Sequence, residues 1–211
     1  MVRLGLIKYH QFCEHARKEG FGAALRFSFY KYEEAVPVEK SLAELKPLKK
    51  PPTDGLQLLD LGPEEFFESP IFYPLRSRRE RAASYFRRGY RTVAMIRNGK
   101  VVGDLWYVSR DAARTPEIHP HVKWFGIDLG PDEVYMFDMH VVADERGEGL
   151  ATYFMGSVLH HLQKRNVRKA YGYFAAHNTP ALWVHRLVGF RELSRFTVRR
   201  FFLYETAKAK T

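Results

Sequence analysis

The sequence has few of the features that mark secreted or membrane-spanning proteins. Its 211 residues include one cysteine, Cys13, which excludes an internal disulfide framework and a cysteine-rich zinc site. No apolar run approaches the roughly 18 to 20 residues that a membrane-spanning helix needs. The N-terminus also lacks the uninterrupted apolar segment of a signal peptide. We therefore expect a soluble, cytoplasmic protein with no integral membrane segment.

The sequence also has fewer acidic than basic residues. The chain carries 24 Asp and Glu against 34 Lys and Arg, which gives a formal net charge of +10. This charge favours anionic partners, namely nucleic acid, an acidic membrane surface or a phosphorylated small molecule. The hydrophobic content of 45%, with 15% aromatic residues, is typical of a globular protein. The length suits one compact domain with an appendage.

The first 50 residues differ in pattern from the rest. Through about residue 34, apolar residues have the spacing of two short amphipathic helices, separated by a turn. Residues 46–55 contain three prolines and end in glycine, which indicates a linker. We predict a helical N-terminal extension and linker over residues 1–50 and one domain over 51–211. The basic extension is expected to pack on its own domain, on a partner or, peripherally, on an anionic membrane.

The remaining residues alternate between strand and helix patterns. Asn98-Gly99 between two apolar runs is a strong hairpin signal. Residues 110–132 have no sustained period and predict a long surface loop, and loops of this kind often shape substrate pockets. The predicted elements are strand 56–61, a helix from 62–65, helix 76–88, strands 92–96, 101–108 and 133–142, helix 149–164, strand 167–175, helix 180–187 and terminal strands around 190 and 197–204. This order predicts a mixed α/β fold, in which helices cover a mixed sheet.

The turn Arg146-Gly147-Glu148-Gly149 lies between a predicted strand and a predicted helix. Amides in a first helical turn lack partners within the helix and sit at the positive end of its dipole, so they bind anions. Glycine lets an anion approach the backbone, and Arg146 adds a positive charge. The fragment also fits a plain tight turn. No Gly-Lys-Ser/Thr follows, and Thr152 replaces the third glycine of the dinucleotide fingerprint, which excludes both of those phosphate loops.

Two motifs in this region resemble a known family. Arg146-x-x-Gly149-x-Ala151 resembles the Arg/Gln-x-x-Gly-x-Gly/Ala acetyl-CoA motif of the GNAT superfamily of N-acetyltransferases. Asn178-Thr-Pro-Ala181, followed by Gly189-Phe190, resembles the superfamily's Asn-x-x-Ala and Gly-Phe pattern. The resemblance covers about residues 55–205, and residues 1–50 match no part of the superfamily core.

The resemblance implies a fold, a cosubstrate and a set of binding residues. It implies a mostly antiparallel sheet that is splayed open between the strand ending near Val141 and the strand 167–175, with the pantetheine arm of acetyl-CoA in the gap. An amine acceptor would attack the acetyl group directly, without a metal or a covalent enzyme intermediate. The implied cofactor-binding residues are Met139 and Val141 for the pantetheine and the acetyl carbonyl, Arg146, Gly147, Gly149 and Ala151 for the pyrophosphate, and Asn178 for the pantetheine amides.

Three residues are candidates for acid–base catalysis. His185 stands where the family usually has a tyrosine that protonates the leaving thiolate, and an imidazolium could do the same. The alternative is that His185 fills a helix face. For the base, Asp138 and His140 share one face of a predicted strand, and Asp138 is favoured because it matches a position that is acidic in several family members. The alternative is that neighbouring backbone satisfies both. Phe137 stands where the family often has a glutamate base.

Seven arginines lie between residues 76 and 91, against the single acid Glu80. With Tyr85 and Phe86 interleaved, this stripe is compatible with nucleic acid or with an anionic acceptor. A solvated helix face explains it more simply, so nucleic acid is not favoured as a partner. His160 and His161 are adjacent and have no partner four residues away, which disfavours a metal site.

Three functions remain open on the sequence. The favoured one is acetylation of a small amine or amino sugar. The others are acetylation of a protein lysine or N-terminus, and a non-catalytic module that binds acetyl-CoA or an acidic polymer. A closed pocket roofed by residues 110–132 would favour a small acceptor, whereas an open groove would favour a peptide.

Overall fold

The computed structural model describes residues 2–48, 50–68, 71–112, 118–201 and 204–210. The helices are α1 Val2–Glu19, α2 Phe21–Phe29, α3 Pro63–Glu68, α4 Arg76–Arg87, α5 Pro120–Trp124, α6 Leu150–Lys164 and α7 Thr179–Val188. The strands are β1 Tyr30–Ser41, β2 Gln57–Leu61, β3 Arg91–Arg97, β4 Lys100–Ser109, β5 Glu133–Val141, β6 Lys169–Ala175, β7 Arg191–Glu192, β8 Phe196–Phe201 and β9 Tyr204–Ala209. None of the described helices is long and apolar enough to cross a membrane.

The nine described strands form one sheet in the order β2-β3-β4-β5-β6-β1-β8-β9, with β7 paired to β1. All neighbouring pairs are antiparallel except β5 and β6. The hairpin of β3 and β4 is confirmed, because Asn98 and Gly99 at its tip have φ of 50° and 72°, as a two-residue turn of this kind requires. The mixed, mostly antiparallel sheet predicted from the sequence is therefore confirmed.

The two parallel strands separate partway along their length. β5 and β6 pair only over Glu133–Tyr135 and Lys169–Tyr171. Gly172 lies where the strands begin to diverge, and a Cβ added there would be 3.1 Å from the carbonyl oxygen of Met136. Beyond this point β6 pairs with β1 alone, through Ala175. The sheet is thus open between the ends of β5 and β6, as the resemblance implies.

Each face of the sheet has its own core. On one face the apolar stripe of α6, which includes Phe154, Val158 and Leu162, packs against strand residues such as Val36 and Met136. Such i, i+4 spacing gives a helix one apolar side, and burial of each large side chain contributes about 1.5 to 3 kcal/mol. On the other face Phe86 of α4 packs with Trp106, Tyr135 and Phe137 among others. The open ends of β5 and β6 therefore lie between two rigid layers.

The prediction for residues 1–50 was wrong for β1. Helices do occupy residues 2–29, but residues 30–41 form a strand between β6 and β8 instead of a helical extension. Glu33, Glu34 and Pro37 are poor strand formers, so the local sequence gave little sign of it. The division into two domains at residue 50 stays a prediction, although β1 completes the sheet of the predicted second domain.

The C-terminal strands also differ from the prediction. In place of the single strand expected over 197–204 there are two antiparallel strands, β8 and β9, and residues 202–203 lie outside the described residues. The loop predicted over 110–132 contains the short helix α5, which Pro120 opens, while residues 113–117 lie outside the described residues.

Candidate active site

Three consecutive residues with positive φ form the turn before α6. Gly147, Glu148 and Gly149 have φ of 133°, 48° and 79°. A Cβ added at either glycine would meet no atom within 4 Å, so glycine is needed here for backbone conformation rather than for space. The left-handed Gly149 is the N-cap of α6. This conformation aims the start of the helix at open solvent.

The first amides of α6 are available to a ligand. The amides of Leu150 and Tyr153 donate to the carbonyls of Gly147 and Gly149, both at 2.9 Å. Among the described residues, the amides of Gly149, Ala151 and Thr152 have no backbone acceptor. They lie at the positive end of the dipole of a 15-residue helix. The geometry suits an anion with several oxygens.

Arg146 places its charge beside the same turn. Its Nε donates to the carbonyl of Val141 at 2.9 Å, which folds the side chain back over the end of β5. Glu145, which directly precedes Arg146, pairs with Arg97 at 2.7 Å, so the charge of this nearby acid is neutralised. Asp144 and Glu148 also flank the turn, so an anion here would depend on the helix amides and on Arg146 rather than on the overall local charge.

A groove of about 630 Å³ runs between the ends of β5 and β6 and α7. We call it the β5–β6 groove. Of the ten site residues predicted from the sequence, eight line it: Asp138, Met139, His140, Val141, Arg146, Ala151, Asn178 and His185. The other two, Gly147 and Gly149, form the adjoining turn. The structure thus brings the predicted residues to one place, although their functional roles stay predictions.

Asn178 caps the helix that forms one wall of the groove. Its Oδ1 accepts a hydrogen bond from the amide of Ala181 at 3.1 Å, and Gly189 ends α7 in the left-handed conformation with φ of 81°. The spacing Asn-x-x-Ala followed by Gly therefore marks the two ends of α7. The backbone amide of Asn178 donates to the carbonyl of Ala175 at 2.8 Å, and its side-chain Nδ2 has no hydrogen bond to the described residues.

A β-bulge lies in β5 at the centre of the groove. In the register with β4, Asp104 faces His140 while Trp106 faces Phe137, so one intervening residue of β4 lies opposite two of β5. Asp138, inside the bulge, has φ of 50°. Asp138 and Met139 also have no partner in β6, because that pairing ends at Tyr135. The bulge leaves strand backbone facing the groove, outside the regular ladder.

Asp138 is held by three side chains of α4. Its carboxylate accepts hydrogen bonds from Arg78 and Arg81, both at 2.8 Å, and from the Tyr85 hydroxyl at 3.1 Å. Burial alone would raise the pKa of Asp138, but the two arginines outweigh burial and hold it well below its usual range. A carboxylate so stabilised is a poor proton acceptor. The prediction that Asp138 is the general base therefore does not fit its surroundings.

Arg78 also pairs with Asp104, which accepts a hydrogen bond from Trp106 Nε1 at 2.9 Å. Arg78 is only 7% exposed, and Arg91 pairs with Asp60 at 3.3 Å. At least three of the seven arginines between residues 76 and 91 are thus structural, which removes part of the basic stripe. These internal pairs could not be predicted from the sequence, since one chain segment does not reveal which arginines face inward.

His140 and His185, two of the three histidines that line the groove, are neutral near pH 7. Burial and the charges of Arg78 and Arg146 lower the pKa of His140 to about 4. Burial against Phe174 and Phe190, whose rings lie about 5.1 and 5.0 Å away, lowers the pKa of His185. His185 Nδ1 lies 2.7 Å from the carbonyl of Ala181, so Nδ1 carries the proton.

The neutral tautomer changes the expectation for His185. With the proton on Nδ1 and donated to Ala181, Nε2 is a lone-pair acceptor. A general acid needs a proton on the nitrogen that faces the leaving group. The predicted acid role is therefore disfavoured at neutral pH, and packing between Phe174 and Phe190 accounts for the position of the ring.

A second cavity of about 560 Å³ joins the groove at Asp138, Met139 and His140. We call it the α1 cavity, because α1 forms one side of it. Glu14 of α1 accepts hydrogen bonds from the amide and hydroxyl of Ser77, at 3.2 and 2.5 Å, and so fixes α1 to the N-terminus of α4. The N-terminal extension thus packs on its own domain.

The loop 110–132 does not do what the sequence analysis expected. Its described residues line neither the α1 cavity nor the β5–β6 groove. They pack instead at the far end of β5, where His121 Nδ1 lies 2.9 Å from the hydroxyl of Tyr135. The described part of this loop thus does not roof either space, whereas α1 lines the α1 cavity.

Comparison with known proteins gives the same fold. A GCN5-related N-acetyltransferase from Sphaerobacter thermophilus aligns with a TM-score of 0.50 and 15% identity, over 90% of this chain and 57% of that one. A Drosophila protein aligns with a TM-score of 0.51 and 11% identity, over 90% and 57%. The glucosamine N-acetyltransferase region of a fungal multi-domain β-N-acetylglucosaminidase aligns with a TM-score of 0.54 and 17% identity, over 87% and 23%.

At these identities the likeness shows the fold alone, and the chain spans a little over half the length of the first two structures. No curated protein matches the sequence at a significant level. The family model for the acetyltransferase (GNAT) family matches residues 57–190, which is more than half of the chain and includes both motifs. The chain therefore belongs to the GNAT family of acetyltransferases.

Proposed function

We propose that the protein transfers the acetyl group of acetyl-CoA directly to the primary amine of a small acceptor. The observation that carries this proposal is the junction of two spaces at the β5 bulge. The β5–β6 groove reaches the bulge from the glycine turn, and the α1 cavity reaches it from the opposite side. A donor in the first space and an acceptor in the second would meet beside His140.

The groove suits the cosubstrate along its length. The unpaired amides of Gly149 and Ala151, with the charge of Arg146, suit the pyrophosphate. The backbone from Met139 to Val141 would hold the pantetheine as an added strand, because no strand pairs with it on that side. The acetyl group would then lie at the bulge, where strand backbone faces the groove.

His140 is the group best placed to receive the proton that the acceptor loses. The amine nitrogen attacks the thioester carbon, the C–N bond forms and the C–S bond breaks with release of the thiolate. The attacking nitrogen becomes far more acidic as it is acylated, and the unprotonated imidazole of His140, which borders both spaces, is the proposed acceptor of its proton although burial and Arg78 weaken it as a base. Solvent supplies the proton that the thiolate takes up.

The α1 cavity favours a small acceptor. Its volume of about 560 Å³ lies in the range of small-molecule sites, and residues of α1, including Glu14 and Lys18, form part of its wall. Small amines and amino sugars therefore fit better than a protein lysine. Glucosamine is included among the candidates because the fungal region of similar fold is named for it.

Thiol release from acetyl-CoA in the presence of amino sugars, polyamines, amino acids and peptides tests the proposal. Release with a small amine, and none with peptides, is the expected result. The control is Gly149→Glu, which forces a bulky acid into a residue with φ of 79° at the anion site and should abolish cofactor binding. Failure of the wild-type protein to bind acetyl-CoA in calorimetry would remove the proposal.

A further inference from the structure

The sheet presents aromatic side chains to solvent at its β8–β9 end. Tyr30 of β1 lies opposite Phe201 of β8, and two residues along each strand Tyr32 lies opposite Arg199. Because side chains alternate along a strand, these four share one face of the sheet. Tyr30, Tyr32 and Phe201 are each more than half exposed. Val198, on the opposite face, is buried, so only one face of this part of the sheet packs against the protein.

The helix that precedes β1 exposes apolar side chains as well. Phe21 and Leu25, one turn apart, lie on the same side of α2 and are 68% and 46% exposed, whereas Ala24 is fully buried. β1 follows α2 without a linker. Five of the eleven large apolar side chains that are exposed in the described part of the chain belong to these two elements and to β8. We call them the terminal apolar surface: Phe21, Leu25, Tyr30, Tyr32 and Phe201.

Basic side chains accompany the terminal apolar surface. The guanidinium of Arg199 lies 5.6 Å from the centre of the Tyr32 ring, which is close enough for a cation–π contact. Glu34, on the same face of β1, pairs with Arg195 at 2.6 Å and with Lys210 at 2.7 Å. Two cations therefore stand against this one acid, and the charge of the sheet face is positive.

The segments that carry this surface also hold most of the net charge. Residues 1–34 and 195–210 contain eleven basic and five acidic residues, so 50 of the 211 residues supply +6 of the formal net charge of +10. Exposed aromatic rings and an apolar helix side, combined with positive charge, suit the interface of an anionic membrane. Single-stranded nucleic acid also stacks on aromatic rings, but an aliphatic side chain such as Leu25 adds nothing to that binding, whereas it inserts into lipid.

We infer that the terminal apolar surface binds the protein to an anionic lipid membrane. Phe21 and Leu25 insert at the boundary between headgroups and acyl chains, the tyrosines lie at the level of the headgroups, and Arg199 meets the lipid phosphates. The surface lines neither the β5–β6 groove nor the α1 cavity, so both spaces stay open in the bound protein. This contact goes beyond the proposed function and does not depend on it.

Vesicle sedimentation tests the inference. The wild-type protein should pellet with phosphatidylcholine vesicles that contain about one third phosphatidylglycerol and should stay in the supernatant with pure phosphatidylcholine. Raising the salt concentration to about 0.5 M should weaken the binding about tenfold, because salt screens the headgroup charge. Phe21→Ser/Phe201→Ser should weaken the binding to anionic vesicles by about tenfold, because two inserted rings are lost. Leu25→Glu, a single change at another exposed position, should weaken it in the same direction.

A matched control removes apolar side chains elsewhere. Leu59→Ser/Phe72→Ser changes two side chains that are also exposed but lie outside the terminal apolar surface, and it should bind anionic vesicles as the wild type does. Absence of pelleting with anionic vesicles would overturn the inference. So would equal pelleting of the wild type, Phe21→Ser/Phe201→Ser and Leu25→Glu. Binding of a single-stranded RNA homopolymer, without binding to vesicles, would assign the surface to nucleic acid instead.

Discussion

Replacing Asp138 by asparagine should lower the free energy of unfolding by about 3 kcal/mol, because it leaves the charges of α4 without their partner. Removal of one member of a buried ion pair typically costs about 3 to 5 kcal/mol. The lower end applies here, since the side chain of Asp138 is 20% exposed and Arg78 keeps Asp104 as a second partner. Arg81, in contrast, loses the carboxylate that it contacts at 2.8 Å.

Urea denaturation followed by circular dichroism measures the effect. An m-value of about 2 to 3 kcal/mol per M makes the expected drop in midpoint roughly 1 M. The matched control is Asp128→Asn, because Asp128 pairs with Arg110 at 3.4 Å on the surface and is 92% exposed. That variant should stay within about 0.5 kcal/mol of the wild type. An unchanged midpoint for Asp138→Asn, with turnover lost, would refute the anchoring role and restore Asp138 as the base.

The low pKa of Asp138 also determines the pH at which its contribution to stability disappears. The pKa of Asp138 is lower in the folded protein than the reference value of about 3.9 for an unfolded chain. Its contribution to stability is therefore complete above about pH 3.9 and is lost as the pH falls toward the folded value. The difference in stability between wild type and Asp138→Asn should be constant from pH 5 to 8 and should narrow only in stronger acid.

Other substitutions test the remaining assignments. His140→Gln should lower kcat by about 100-fold and leave the Kd for acetyl-CoA unchanged, whereas an unaffected kcat would remove His140 as the base. His185→Phe should keep turnover at pH 7 within about twofold, since the neutral ring has its proton on Nδ1, and a large loss would restore the acid role. Glu14→Ala should raise the KM for the acceptor by about tenfold without weakening acetyl-CoA binding, because α1 loses its hydrogen bonds to Ser77. Equal effects on the binding of both ligands would contradict this expectation. Gly156→Ala should raise the melting temperature by about 2 to 4 °C, because it improves helix propensity and its Cβ would lie 3.5 Å from Leu48, an ordinary contact.

Features that depend on a few neighbouring residues could be predicted from the sequence. The hairpin at Asn98-Gly99 and the caps of α7 at Asn178 and Gly189 follow from local conformational preferences. The turn at Gly147 and Gly149 was recognised for the same reason, and its position beside the groove followed from the resemblance. The predicted cofactor residues therefore meet at one site even though their roles remain to be tested.

Features that depend on distant partners could not be predicted. The prediction that Asp138 and His140 share one face assumed that side chains alternate along a regular strand. The bulge at Asp138 breaks this alternation, and it depends on the register with β4. The contacts of Asp138 with Arg78 and Arg81 bring together groups about 60 residues apart, which turned a candidate base into an anchor. Likewise, the docking of α1 joins Glu14 to Ser77, and neither residue has a local pattern that indicates the other.

The position of β1 has a consequence for how the chain folds. β1 is the first strand to be synthesised, yet both of its neighbours, β6 and β8, come more than 125 residues later. Such pairing carries a high loop-closure cost and slows folding. During synthesis, both edges of this twelve-residue strand remain unpaired until most of the chain has emerged. A fragment that ends before residue 196 would leave an open edge at the centre of the sheet, where strands of other molecules can add.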